Sequence, residues 1–559
     1  MSDIKYTIGI DYGTLSGRAL LVRVSDGCEM GSSVFAYPHG VMDEALDAPA
    51  GKIPLPPDWA LEHPADYLEV LRRTVPAVIA ECGVDPADVI GIGIDFTSCT
   101  LIPTYADGTP LCLTAEFEND PYAYPILWKH HAAQKYANRL NAIAAERNEP
   151  WLKYYGGAIS SEWTFPKIWQ VLEEAPYIYE KADKFIECGD WVVWQLTGNP
   201  TRGGCHEGYK SMYTDDGYPS PDFFRALDPR LENVIADKCS DPVLSPGQRA
   251  GTLTEEWAET LGLTPGIAVA VSVPDAHVAS PAMRVGKIGR LLAIMGTSTC
   301  HLLVSDKLVP VPGICGVVKD GVLPGFYGYE AGQGCVGDHF AWFVDHFTPV
   351  SYHEEALSRG MTDIQLMSEK ADALKPGESG ILALDWWNGN RSILVDTDLS
   401  GMFLGMTLTT KPEELFRALL EATAFGTRMI VENYREHGIV VNEYIAAGGI
   451  AKKAPGMMQI YADVTGMEIH IASSAQGPAL GSAIYAACAA GAENGGYGSI
   501  AEASENMGTK YDKTYRPIPE NKAVYDKLYA EYKLLHDYFG RGENNVMKRL
   551  RDLKAETRK

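Results

Sequence analysis

The sequence predicts an α/β protein built as two similar halves. Three observations carry this. Residues 6–24 read YTIGIDYGTLSGRALLVRV: an apolar run, a turn at Asp11-Tyr12-Gly13-Thr14, and a second apolar run. Apolar runs joined by a few small polar residues read as a β-hairpin. The same pattern, with different letters, returns at 291–304 as LLAIMGTSTCHLLV, with its turn at Gly296-Thr297-Ser298-Thr299. Elsewhere strand-like runs alternate with helically spaced ones, which implies sheets covered by helices.

Each hairpin is expected to open one half. In the first half, VIGIGIDF at 89–96 has the near-continuous apolarity of a buried strand and runs into Thr97-Ser98. AVAVSVPDAH at 268–277 is a second buried strand that ends at Val273, with Asp275 just beyond Pro274. Gly286 and Gly289 mark a boundary, giving domains 1–285 and 286–559. In the second half, Leu415, Ala418, Leu419, Ala422, Phe425 and Met429 fall at three- and four-residue intervals and predict a helix over 412–437. A strand at 444–449 ends in a glycine turn before a helix at 455–464. A tail helix over 521–539 carries Tyr525, Leu528, Tyr532 and Leu535 on one face, as a packing helix does.

Bulk properties exclude several classes. The 559 residues are 46% hydrophobic and 22% charged, ordinary values for a globular chain. The net charge of −25 disfavours a nucleic-acid partner. It suits an uncharged polar substrate, with any nucleotide arriving as its magnesium complex. The 11 cysteines form no CxxC pair, and their odd number argues against a disulfide framework. A reducing, cytoplasmic setting follows. The N-terminus lacks the apolar core of a signal peptide, and no run approaches a membrane span.

The two turns point to phosphate chemistry. Gly, Ser and Thr expose backbone N–H groups and add hydroxyl donors, and Asp11 can orient a magnesium-bound water. One such turn alone is better read as an ordinary hairpin; two equivalent turns favour a nucleotide. GxxxxGK[ST] is absent, so a P-loop is not supported. Gly332-Gln-Gly334-Cys-Val-Gly337 matches GxGxxG, but the acids that follow sit in a helical pattern, so it reads as a tight entry into a helix near Asp338.

Asp275 lies beyond the C-terminal end of a strand, where α/β proteins place ligands. It suits a base that takes a hydroxyl proton during phosphoryl transfer, although a helix cap is the plainer local reading. His277 reads as a packed histidine. His130 and His131, as neighbours on a helix, do not share a face for a metal. Trp128 and Lys129 can line a sugar site; Lys210 and Glu330 lie in the polar–aromatic segments GYKSMY and YGYEAGQG and read equally well as loop residues.

Taken together, IGIDYGTLSGRALLV, GIGIDFTSCTLIP, LWKHHAAQ, VPDAH, MGTST, AAGGIAKKAPGMMQIYADVTG and GMFLGMTLTTKPEELFRALLE resemble segments of the FGGY carbohydrate kinase family, nearly end to end. SSEWTFPKIWQVLEE follows the family's N-terminal signature only in part. The resemblance implies two actin-like (ribonuclease H-like) ATPase domains flanking a central catalytic cleft, with sugar on the N-terminal domain and ATP on the C-terminal one. It implies that Thr14, Arg18, Gly296, Thr297 and Ser298 approach phosphates and that Gly449 and Lys452 lie near the nucleoside. It places Thr97, Trp128, Lys210, Asp275 and Glu330 around a ketopentose, with Asp275 as base and Asp11 holding Mg2+ through water. The implied reaction is ATP-dependent phosphorylation of L-ribulose at its 5-hydroxyl, in arabinose catabolism. Its partners are a sugar and ATP, in a chain compatible with a homodimer and with neither nucleic acid nor membrane. A xylulose or ribitol kinase is the alternative within the family. An actin- or chaperone-like ATPase is the alternative outside it.

Overall fold

The computed structural model describes residues 4–557. The chain forms two compact units. One comprises the chain up to Lys287, Val317–Gly328 and Gln476–Thr509; the other comprises Ile288–Gly316, Tyr329–Ala475 and the chain from Lys510.

The first unit is organised by β1 (Tyr6–Tyr12), β2 (Ser16–Arg23) and β3 (Glu29–Ala36), followed by α1 (Pro64–Cys82) and β4 (Val89–Phe96). Further along come α2 (Thr164–Glu174), α3 (Gly204–Lys210), β5 (Arg249–Thr252), β6 (Ala268–Ala270), β7 (Val273–Pro274) and α4 (Asp275–Ala282). The sheet order is β5-β6-β4-β1-β2-β3, with β7 also on β4. β1 runs antiparallel to β2 and parallel to β4, which pairs Asp11 with Arg18 on one side and Asp95 on the other. Strands buried on both faces need covers. The cover on β2 and β3 is α1, whose Tyr67, Val70, Leu71, Val75 and Val78 are fully buried. A second aromatic-rich core draws on residues from Met42 to Cys239 and includes Trp59, Tyr124, Phe165 and Trp169. This lobe carries the loops around Thr97, Trp128 and Lys210.

The second unit repeats the plan. β8 (Gly289–Met295) and β9 (Thr299–Ser305) form the second hairpin; β10 (Tyr327–Gln333) leads into α5 (Gly337–Phe347). α6 (Pro412–Glu436) precedes β11 (Val441–Ala447), α7 (Gly449–Lys453), β12 (Ile469–Ala472) and β13 (Tyr511–Tyr515). Within this sheet the order β10-β9-β8-β11-β12-β13 matches β3-β2-β1-β4-β6-β5 of the first. The hairpin repeat seen in the sequence is therefore a repeat of a whole sheet.

One helix returns to the first unit from late in the chain. α8 (Gly477–Ala490), reading GPALGSAIYAACAA, follows the strands of the second unit but packs on β1 and β4 of the first. Its small residues bring it to backbone contact. A Cβ at Gly9 would lie 1.8 Å from the Ala479 carbonyl oxygen, and one at Gly93 would lie 1.9 Å from that of Ser482. On its other side, a Cβ at Gly481 would lie 1.8 Å from the Val278 carbonyl oxygen in α4. Glycine at these positions removes the side chains that would hold sheet and helix apart.

Under the strand ends, Tyr12 stacks on Phe96 at 4.9 Å and donates its hydroxyl to the Tyr67 carbonyl at 2.9 Å. Tyr67 in turn donates to Glu62 Oε2 at 2.6 Å. Burial pushes the Glu62 carboxyl up to about 8.

Two outcomes follow for stability. In Gly93→Val, α8 is forced off the sheet, and denaturant unfolding is expected to show a loss of about 3 kcal/mol; wild-type stability would contradict the contact. Because the folded-state value for Glu62 is raised, the folded protein holds a proton there that the unfolded chain gives up. That contribution is complete below the ordinary carboxylate range and is lost as pH rises toward 8. Glu62→Gln keeps an acceptor for Tyr67 without the titration. Its melting temperature should fall less than the wild type's between pH 5 and pH 8, and parallel curves would count against the buried acid.

Candidate functional site

In the first unit, the sequence candidates gather at the C-terminal ends of β1, β4 and β7. Asp11 lies near the end of β1, and Thr97 directly follows β4; β7 pairs with Asp95 and Phe96, so Asp275 enters beside them. Asp275 is the first residue of α4, after Pro274 at the cap position. Its Oδ1 accepts the Ala276 N–H at 2.7 Å, so the carboxylate is held at the helix's positive end without acting as the cap itself.

Three carboxylates thus meet at neighbouring strand ends. Burial raises Asp11 above the ordinary range, opposed by Arg18, whose Nε lies 3.3 Å from Asp11 Oδ2. Asp95 is fully buried and pushed far higher, first by burial, then by the charges of Asp11 and Asp275. Its Oδ2 accepts the Ser482 hydroxyl of α8 at 2.6 Å, and its carboxyl also interacts with that of Asp11. Burial thus drives Asp95 furthest toward its neutral form, and Asp11, with Arg18 beside it, less far.

Thr97 is buried, with its hydroxyl 3.0 Å from that of Thr100 and its N–H donating to the Tyr12 carbonyl at 3.2 Å. Trp128 is partly exposed and donates its indole N–H to the Thr14 hydroxyl at 3.1 Å. The structure therefore joins Trp128 to the first hairpin turn. Lys210, at the end of α3, sits 5.6 Å from the Trp163 ring and 5.8 Å from the Tyr209 ring, within cation–π range. Lys129 pairs loosely with Asp43 at 3.5 Å. His130 and His131 lie in a turn, not on a helix, and His130 is buried against Gln170 at 2.9 Å. His277 is buried with its ring 4.2 Å from Tyr209, as a packed histidine is.

The second unit holds the other candidates. In both hairpins the turn glycine donates its N–H back across the turn, Gly13 to Ser16 at 3.0 Å and Gly296 to Ser298 at 2.9 Å. Gly296 and Thr297 are exposed. The GxGxxG segment buttresses this turn, since Val336 N–H donates to the Thr297 carbonyl at 2.8 Å and Gly337 N–H to that of Gly296 at 3.0 Å. A Cβ at Gly448 would lie 2.4 Å from the Met295 carbonyl oxygen, so the turn into Gly449 sits against the end of β8. Lys452 donates to the Ser473 carbonyl. Glu330 is buried on β10 and paired with Arg391 at 2.8 Å.

Sequence reasoning left out Asp95, Trp163, Lys167 and Arg391. Asp95 was visible as the lone acid in VIGIGIDF, and Lys167 as a lysine in the otherwise apolar TFPKIW.

Family models describe the two halves in order: the N-terminal domain of the FGGY family of carbohydrate kinases matches residues 6–280, and its C-terminal domain matches 291–490. The chain is similar to a protein named ribulokinase from Bacillus licheniformis, 56% identical over 541 residues covering 97% of this chain and 98% of that one. A ribulokinase from Mycolicibacterium smegmatis is 51% identical over 551 residues, covering 99% and 97%. Among solved structures, xylulose kinase from Rhodospirillum rubrum superposes with a TM-score of 0.77 at 20% identity, covering 95% of this chain and 98% of that one. Plasmodium falciparum glycerol kinase with ADP gives 0.76 at 17%, covering 96% and 98%. These structures share the actin-like ATPase fold, as expected from the repeated sheets. Matched along both halves and in fold, the chain belongs to the FGGY family of carbohydrate kinases.

Proposed function

We propose that this protein transfers the γ-phosphoryl group of ATP to the 5-hydroxyl of L-ribulose. The observation that carries the sugar assignment is its end-to-end identity, at 51–56%, with relatives named ribulokinase. The geometry supports the reaction type. Phosphoryl transfer to an alcohol asks for positioning, charge neutralisation and a proton acceptor. Asp275 is a carboxylate fixed by its own helix N-terminus at a strand end, as a base needs to be. It takes the 5-hydroxyl proton as the oxygen bonds to phosphorus. Lys210, a cation held among aromatic rings, donates to a sugar hydroxyl. Thr97 and Trp128 complete the sugar side.

The second unit binds ATP in this reading. Gly296, Thr297 and Ser298 present backbone and hydroxyl donors to phosphate oxygens, and Gly449 and Lys452 border the nucleoside. Thr14 and Arg18 serve the phosphates from the first unit's hairpin. The end of β1 fits Mg2+: Asp11 offers a hard carboxylate oxygen that is only partly exposed. A magnesium ion held through water at Asp11 would neutralise phosphate charge. The free state of all the cysteines fits a reducing, cytoplasmic setting, and among the described residues no helix is long and apolar enough to cross a membrane.

Asp275→Asn is expected to lower sugar-dependent ADP release by roughly 10³-fold or more, with ATP binding intact by calorimetry. Strong residual activity would remove Asp275 from the role of base. ATP turnover that ignores sugar would favour a partner-moving ATPase instead. In a panel of pentuloses and pentitols, kcat/KM for L-ribulose should exceed that for xylulose and ribitol by about tenfold or more. A reversed order would move the protein to another branch of the family.

A further inference from the structure

The start of α2 touches three of the segments assigned to the sugar. Trp163, just before the helix, lies 5.6 Å from the Lys210 ammonium. The Thr164 hydroxyl accepts from that of Ser211, the residue after Lys210, at 2.8 Å. Lys167 is fully buried. Its Nζ donates to the carbonyls of Cys99 at 2.5 Å, Leu127 at 2.8 Å and Ile126 at 3.4 Å. An ammonium has three N–H donors, and here three carbonyls take them.

This arrangement is costly unless it is used. Burial pulls the Lys167 ammonium below the ordinary lysine range, with Glu187 and Glu162 near enough to oppose the shift only in part. What it holds is unusual backbone. Cys99 has φ of +65°, the left-handed region that a non-glycine residue enters at a cost. Its carbonyl is the closest of the three acceptors. Thr97 and Cys99 belong to one loop, and Leu127 and Trp128 to another, so one cation ties the two loops together. Trp128 carries the link on to Thr14 at 3.1 Å.

We propose that Lys167 is a positioning residue for sugar binding: it fixes the Thr97–Cys99 loop against the Leu127–Trp128 loop through their carbonyls. This rests on the assignment of those loops to L-ribulose. Lys167 touches no reacting atom in this role. Removing its N–H groups frees Cys99 to relax out of the left-handed region, and Thr97 and Trp128 then lose their common frame.

The test uses the full-length enzyme with steady-state kinetics, calorimetric ATP binding and thermal melts. Lys167→Met should raise KM for L-ribulose about tenfold or more, with a smaller change in kcat and with ATP affinity within about twofold of the wild type. A glycine at position 99 adopts positive φ without strain. The pair Lys167→Met, Cys99→Gly, read against Cys99→Gly alone, should therefore recover a substantial part of the lost sugar affinity. A side chain that only fills the core would not be rescued in this way. Unchanged sugar KM in Lys167→Met, or equal loss of sugar and ATP binding, overturns the proposal. So does failure of both Lys167→Met and Lys167→Gln to fold, which would make Lys167 a residue of the core alone. The pentulose panel, assayed in parallel on the wild-type enzyme, separates the two readings. If L-ribulose is not phosphorylated, the sugar assignment fails; if it is phosphorylated while Lys167→Met binds it normally, only the positioning role fails.

Discussion

The crowding of Asp11, Asp95 and Asp275 at three neighbouring strand ends is the constraint to which the rest of the first unit answers. Like charges this close in a partly buried setting cannot all ionise. The fold resolves the conflict by giving each acid a different environment. Asp95 is buried, which pushes its carboxyl toward the neutral form. Asp11 has Arg18 across the hairpin. Asp275 has a helix N-terminus. The Ser482 hydroxyl that satisfies Asp95 arrives on α8, and α8 reaches the sheet only because Gly9 and Gly93 leave room for its backbone. A packing feature of the sheet thus sets the surroundings of the most deeply buried of the three acids.

The two hairpins show how one plan has been divided between tasks. Asp11 pairs with Arg18 across the first, whereas the matching pair across the second is Ile294 with Cys300. The second turn has no charge of its own at that position and is stiffened instead by the GxGxxG backbone, which donates into the Gly296 and Thr297 carbonyls. A neutral turn with exposed donors suits polyphosphate in a chain of net charge −25, and the charged hairpin suits the divalent cation that accompanies it.

Much of this was legible because it is local. Hairpins, the strand at 89–96 and the long helix through Ala418 and Phe425 announce themselves by period and turn chemistry. The strand expected at 444–449 begins earlier, at Val441, since pairing with β8 extends it. What could not be read depends on distant contacts. Nothing in GPALGSAIYAACAA says that it covers the sheet of the other half, because small apolar residues specify close approach and not a partner. Lys167 looked like one polar position in an apolar helix, and its meaning lies in carbonyls about 40 and 70 residues away in sequence. Asp275 was readable as a strand-end acid; that it is the first residue of a helix and not its cap needed the backbone.

The same carboxylates bear on what happens after transfer. In the proposed reaction a ketose is neutral and would meet Asp275 and Lys210 through hydrogen bonds alone. Once phosphorylated it carries a charge of about −1.5 to −2 at neutral pH. Two unit charges a few ångströms apart repel by about 4 kcal/mol at 4 Å under the effective dielectric of a protein surface. In the proposed role, Asp275 is neutral once it has taken the proton and regains its charge when that proton leaves to solvent. The proposed base would thereby become a group that disfavours keeping the product. An acid-rich strand end, a liability for binding phosphate in isolation, would in that reaction favour turnover.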